Sequence, residues 1–242
     1  MDHGFTWPSA IPILNWLPDH TATALLVVIA MLTWASVAGK QIAAANDAVI
    51  PDDSFSLRNL FEIYLEGFQK MLIEPVLGDR GRIYLPFYAS LFLFILINNL
   101  VGLIPGFSPA TSNVNTTLGL GLLSFVMYNY YGFKESGKGY LKHFLGPVIW
   151  MAPLMGTLEI IDHVIRPVTL NLRLMMNMFA DHLVLDIFTN LTYIIVPVVF
   201  LALGTFVSIV QAYVFTLLSL VYVAMATTHH DDHGHGDDDH HH

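Results

Sequence analysis

Long apolar runs alternate with short polar breaks along this chain, and the breaks divide it into recognisable helical segments. Residues 22–38 form the first run, preceded by Asp19 and Thr21, which can cap it. With its flanks this run is long enough to span a bilayer. A polar linker follows at 46–53. Residues 57–72 carry a different pattern. Leu57, Leu60, Phe61, Tyr64, Leu65, Phe68, Met71 and Leu72 recur at helical spacing, while Arg58, Glu62, Glu66 and Lys70 occupy the other face. That pattern predicts an amphipathic helix lying in the membrane interface. The alternative, a helix of a soluble bundle, lacks any second soluble-type segment to pack on. Residues 83–104 predict a spanning helix with Asn98 and Asn99 near its far end, stopped at Pro105-Gly106. After an uncharged polar turn, residues 118–133 predict a shorter helix that Thr116 or Thr117 can cap. Two long segments remain, about 150–188 and about 193–226. As continuous helices each would measure on the order of 50 Å, against a hydrocarbon core ~30 Å thick. They must break, near Pro167 and Pro197, or lie strongly tilted. Tilt, in an antiparallel hairpin, is the expectation.

The first of these long segments holds an unusual concentration of charge. At 100° per residue, Glu159, Asp162, His163, Arg166, Arg173, Asn177 and Asp181 fall within roughly 60° of one line. Asn171, His182 and Asp186 lie off it. A charged group at membrane depth costs ~2.5 kcal/mol or more on insertion scales, so such groups are rare and usually functional. A polar stripe of this kind faces a partner, a cavity or an ion path. The second long segment has a milder stripe of Gly204, Ser208, Gln211, Ser219 and Tyr222. For Ser208 and Gln211, close helix packing is as good an explanation as an ion path. Arg166 reads more simply as a helix-surface charge reaching the cytoplasmic interface than as part of a path.

Composition supports the membrane class. Apolar residues make up 55% of the 242-residue chain and charged residues 12%, about half the charge of a soluble domain, and mean hydropathy is +0.58. Lipid cannot satisfy an open backbone, so helices are the default. The fold class expected is an all-α membrane protein of about five to six helices: an N-terminal span, the interfacial helix, a two-helix hairpin and the long tilted hairpin. Residues 1–228 read as one domain. Residues 229–242 read as a disordered His/Asp-rich tail, explained by a purification tag, a solvating end or, less simply, a metal chelator. The net charge of −9 includes five Asp in that tail; without them 14 acidic residues face 10 basic ones. Nothing suggests nucleic acid, and the absence of Cys removes thiol chemistry and Cys metal sites. No cofactor or metal is expected. The N-terminal MDHGFTWP lacks the basic region of a signal peptide.

Basic residues fix an orientation. None precedes the first span. Lys40, Arg58, Lys70, Arg80 and Arg82 lie between the first and second spans, none lies at 105–117, and Lys134, Lys138 and Lys142 lie in the next loop. By the positive-inside rule the N-terminus is outside and the C-terminus cytoplasmic.

Three stretches carry a family resemblance. PVTLNLRLMMNMFADH (167–182), INNLVGLIPG (97–106) and SIVQAYVFTLLSLVY (208–222) resemble, in order and spacing, the motifs of subunit a of the F-type ATP synthase membrane sector. The resemblance runs from about residue 68 to 226. It implies a proton-translocating stator in a bacterial plasma membrane, beside a ring of proteolipid c subunits, with peripheral-stalk b subunits and the remaining synthase subunits as partners. It implies that Arg173 is the stator arginine, that Gln211 supports it, and that Asn177 lines the stripe. Glu159 takes the family's acidic position before the arginine, and His182 the position filled by Glu or His. The chain departs from the pattern at Met176, where Gly is common, and at Asn113, where many members have Asp. Gly204 stands where some members pair a second titratable residue with the Glu/His position, which leaves Asp181 or Asp186 as substitutes. With the orientation above, Glu159, Asp162 and His163 are expected in the inner half-channel. Asn177, Asp181 and His182 are expected in the outer one, helped by Ser208 and Gln211.

Other classes fit less well. A secondary transporter with an intramembrane Arg predicts an inverted repeat, and none is visible. An intramembrane hydrolase needs an H-E-x-x-H or comparable site, which is absent. No G-x-x-x-x-G-K-[ST] phosphate loop occurs, so nucleotide chemistry belongs to partner subunits.

Overall fold

The computed structural model describes residues 16–44, 56–104, 107–136, 152–191 and 195–228. The N-terminal segment, the linker at 46–53, most of the basic loop at 134–142 and the His/Asp tail lie outside the described residues. Among the described residues the secondary structure is entirely helical. Three helices are long and apolar enough to cross a membrane: α1 (Asp19–Ala44), α4 (Leu85–Gly102) and α7 (Ile195–Thr228). Between α1 and α4 lie α2 (Leu57–Phe68) and α3 (Glu74–Leu77). Two further helices among the described residues are α5 (Val114–Ser136) and α6 (Ala152–Leu191).

The capping chemistry differs in places from expectation. Thr21 does not cap α1; its hydroxyl donates to the Pro18 carbonyl at 2.7 Å. Helix α5 starts at Val114, earlier than predicted, because the Asn113 side chain accepts the Asn115 N–H at 2.9 Å. Neither Thr116 nor Thr117 is the cap, and the Thr117 hydroxyl bonds back to the Asn113 and Val114 carbonyls. Ser56 does cap α2, accepting the Asn59 N–H at 3.2 Å.

The amphipathic helix is held more tightly than an interfacial reading suggests. Arg58, expected on the polar face, is buried. Its guanidinium pairs with Glu62 at 2.8 Å, and its backbone N–H donates to Gln41 of α1 at 3.1 Å. Trp34 of α1 donates to the Leu57 carbonyl at 3.3 Å and meets the edge of Phe61. The Tyr64 hydroxyl donates to the Ala89 carbonyl of α4 at 2.6 Å, and burial pushes its pKa up. Only part of the apolar face is covered: Phe68 and Leu72 are buried, whereas Leu57, Leu60 and Met71 are exposed. A π turn at Gln69–Ile73 joins α2 to α3. Pro75 has no N–H to give the Met71 carbonyl, so the regular ladder fails there.

The core lies among α4, α5, α6 and α7, with α7 packed against the other three. Tyr84, Tyr88, Ile95, Leu174, Phe215 and Leu220 are among its largest buried members. Helix α6 has 40 residues and α7 has 34, or about 60 and 51 Å at 1.5 Å per residue. Neither breaks. Pro167 sits inside α6, and Pro197 falls in the first turn of α7, where a missing N–H is harmless. Unbroken helices of this length are the form that the expected tilt requires.

Candidate functional site

The α6–α7 hairpin presents its polar residues in two directions. Leu170, Leu174 and Met178 of α6 point into the bundle and are buried. Arg173 is on the outward flank of that row and exposed. On the same helix Leu172, Met176 and Phe179 are exposed too, and on α7 Leu203, Phe206 and Val210 are exposed. Arg173 makes no hydrogen bond or ion pair with another described residue. It is therefore a single fixed cation on an uncovered apolar face.

One turn further along, Asn177 is half-buried and donates its amide to the Gln211 side-chain carbonyl at 2.7 Å. This bond joins the two stripes across the hairpin; Gln211, expected to support Arg173, bonds Asn177. Gln211 is almost fully buried, and its amide nitrogen finds no acceptor among the described residues. Another turn on, Asp181 lies against Gly204 of α7. A methyl carbon built on Gly204 would stand 3.8 Å from the Asp181 carboxylate. The missing side chain at 204 thus leaves room that the Asp181 carboxylate faces, and Oδ2 is buried without a partner among the described residues. Ser208 is fully buried. Its carbonyl accepts Asn99 of α4 at 3.4 Å, and Asn99 in turn accepts the Thr111 hydroxyl at 2.8 Å.

His182 lies roughly 100° from Asp181 on the helix, off the stripe and away from the Asn177–Gln211 bond. It turns instead to α4, where its Nε2 would lie 3.3 Å from a methyl carbon on Gly102. Pro109 packs on the same glycine, so the turn after α4 and the His182 ring share that space. Asn171, the other residue off the stripe, turns to α5 and rests on Gly121. Arg166 is half-buried, with its guanidinium 5.1 Å from the Tyr222 ring centroid. That cation–π placement gives the expected helix-surface charge an aromatic neighbour. Glu159, Asp162 and His163 lie on the described helix α6, but their side chains fall outside the described residues, as does that of Asp186.

Several polar residues around the hairpin escaped the sequence reading as a site. Asn99 and Thr111 anchor the turn after α4 to α7. Gly121 admits the Asn171 amide, and Ser124 of α5 hydrogen-bonds Ser219 of α7. Asn98 and Asn99 were visible as amides in an apolar run. Gly121 and Ser124 gave no signal, because small residues are ordinary in membrane helices.

Long apolar helices, with an uncovered guanidinium on an unbroken helical hairpin, define an integral membrane protein. Residues 21–224 match the family described as the ATP synthase A chain. The ATP synthase subunit a of Bdellovibrio bacteriovorus is 47% identical over 226 residues, covering 93% of this chain and 98% of that one. Those of Sorangium cellulosum and Geobacter sulfurreducens are each 40% identical, over 87% and 85% of this chain and 82% and 86% of theirs. The chain belongs to the ATP synthase subunit a family, and so to the membrane part of an ATP synthase.

Proposed function

We propose that this subunit conducts protons as the stator of its synthase, with Arg173 separating two half-channels and facing a ring of c subunits. The observation that carries this reading is the uncovered Arg173 with the Asn177–Gln211 bond one turn behind it. A guanidinium stays protonated at any working pH. A ring carboxylic acid arriving beside it is driven to release its proton, because the positive charge lowers its pKa. The carboxylate then passes the interface as an ion paired with Arg173, and a proton cannot pass straight from one half-channel to the other. The Asn177–Gln211 bond holds α6 and α7 in register next to the arginine. The outer half-channel comprises Asn177, Asp181 and His182, with Ser208 and Gln211 on α7; the inner comprises Glu159, Asp162 and His163. Asp181, facing the room left by Gly204, supplies the second titratable group beside His182. The chain does no nucleotide chemistry of its own; the peripheral-stalk b subunits hold it against rotation. Its N-terminus is outside and its C-terminus cytoplasmic, in a bacterial plasma membrane.

Arg173→Ala is expected to abolish ATP-driven proton pumping in inverted membrane vesicles while the subunit remains inserted. Arg173→Lys is expected to fail almost as fully, since a compact ammonium lacks the planar fork. Normal coupled pumping by the alanine variant would overturn the stator reading.

A further inference from the structure

A groove of about 390 Å³ opens between α1 and the amphipathic helix α2. Thr33, Trp34 and Val37 of α1 form one wall, and Leu57 and Leu60 of α2 form the other. The volume falls within the range of small-molecule sites, roughly 300–1,000 Å³. None of these residues belongs to the α6–α7 hairpin, so the groove takes no part in the reading of Arg173.

The chemistry of the walls limits what can fill them. Both polar side chains there are spent. The Thr33 hydroxyl donates to the Ala30 carbonyl at 2.8 Å, and the Trp34 indole N–H donates to the Leu57 carbonyl at 3.3 Å. No side-chain donor remains for a polar ligand, and Val37, Leu57 and Leu60 present exposed hydrocarbon. The part of an occupant that lies between the walls is therefore apolar. The mouth of the groove differs. Lys40 follows Val37 by three residues, about 4.5 Å along α1, and lies within roughly 20° of the Thr33 line at 100° per residue. It is exposed and makes no hydrogen bond or ion pair with another described residue. The other cation beside this end of α1, Arg58, is buried and paired with Glu62. A lysine stem runs along apolar surface while its ammonium stays in the polar layer. Hydrocarbon walls that end at an ammonium without a counter-charge complement a molecule with an apolar chain and an anionic head.

Two protein occupants fit less well. A partner helix in lipid packs on small residues. Those of α1, Ala35, Gly39 and Ala43, are exposed roughly 140° round the helix from the groove, and a methyl carbon on Gly39 would meet nothing within 4 Å. The groove walls are bulky instead, and Thr33 to Val37 covers only about one turn. The linker at 45–55 carries Asp47, Asp52 and Asp53 with no Lys or Arg, and irregular backbone does not lie open to lipid at hydrocarbon depth.

We propose that this groove holds one acyl chain of an anionic phospholipid whose phosphate pairs with Lys40. The lipid fills the wedge that α2 leaves against α1, beside the Trp34–Leu57 bond.

The assembled synthase in mixed phosphatidylcholine–phosphatidylglycerol vesicles tests this, with a photoactivatable diazirine on the acyl chain of one lipid or the other. Adducts are mapped by mass spectrometry of the peptides after illumination. Phosphatidylglycerol is expected to label Val37, Leu57 and Leu60 about fivefold more than phosphatidylcholine does, the ratio equivalent to ~1 kcal/mol for one lysine near an anionic surface. Leu32 of α1 and Leu122 of α5, exposed elsewhere, report the bulk lipid and are expected to show no such preference. Lys40→Ala should remove the preference in the groove, and Lys40→Arg should keep it. Should Lys40→Ala not assemble, added salt should weaken the preference in the unsubstituted complex, because exposed charge pairs are screened. Labelling of the groove with no more preference than at Leu32 and Leu122 would leave only bulk lipid and overturn the site. A preference that survives both Lys40→Ala and salt would overturn the pairing with Lys40. A groove that neither lipid labels, while Leu32 or Leu122 is labelled, would show that protein covers it and overturn the proposal.

Discussion

Gly121→Ala tests whether the spacing of α5 and α6 positions Arg173. A methyl carbon on Gly121 would stand 2.2 Å from the Asn171 Nδ2, 2.3 Å from Oδ1 and 2.5 Å from Cγ. Ordinary carbon contacts lie at about 3.5–4.0 Å, so either the amide must leave or the helices must separate by roughly 1 Å. The amide has little freedom, because Asn171 is 8% exposed and packed between α5 and α6. Overpacking of this kind typically costs about 1–3 kcal/mol, a factor of roughly 5 to 150 in an equilibrium constant. Since Asn171 is two residues from Arg173, separation there also carries the guanidinium away from its working line. Gly121→Ala is therefore expected to lower both the thermal stability of the assembled complex and its ATP-driven proton pumping. Asn171→Ala removes the clashing amide together with a buried oxygen that has no donor, so on its own it is expected to be mild. The double variant should recover most of the loss, which gives a coupling of the same ~1–3 kcal/mol. A fully active, fully stable Gly121→Ala protein with Asn171 intact would refute the reasoning.

The Asn177–Gln211 bond should appear in a double-variant cycle. Asn177→Ala and Gln211→Ala should each slow pumping and together be less than additive in stability, by ~0.6 kcal/mol, the average for polar pairs in membrane helices; strict additivity would show that the bond contributes nothing. Cysteines at 177, 181 and 182 should make pumping silver-sensitive from the outer side, and sensitivity only from the cytoplasm would reverse the half-channel assignment. Truncation after Thr228 should leave assembly and pumping intact; a large loss restored by a divalent metal would show that the His/Asp tail works.

Much of the fold was legible because membrane helices announce themselves by length and apolarity. The amphipathic helix and the apolar helices long enough to span follow from the runs alone, whereas the long hairpin was left between a break at Pro167 or Pro197 and a tilt. The polar stripe on α6 was legible as an angle, yet its direction relative to the bundle was not. A helical wheel has no external reference, and in lipid the outward face is as apolar as the core. Arg173 therefore sits on the flank of the buried row instead of inside it, and Asn171 and His182, set aside as off the stripe, are the residues that meet α5 and α4. Pairings across helices were likewise hidden. The family pattern set Gln211 beside Arg173 and Asn177 on the stripe, but nothing in spacing joins Asn177 to Gln211, Ser124 to Ser219, or Arg166 to Tyr222. The buried Arg58 was misplaced because the period of 3.6 assigned it to water, while α1 supplied Gln41 and covered it.

The uncovered face of the hairpin has a consequence for the supply of this subunit in the cell. On the proposed function, a copy that has not met its ring of c subunits holds the Arg173 guanidinium against lipid, at a cost on the order of 2.5–3.5 kcal/mol on insertion scales. It also carries buried polar atoms on Gln211 and Asp181 that have no partner among the described residues. On that reading such a copy is expected to be a poor resident of the bilayer, and ring supply is expected to set stator lifetime: cells short of rings should clear this subunit quickly, and cells with excess rings should retain all that they make.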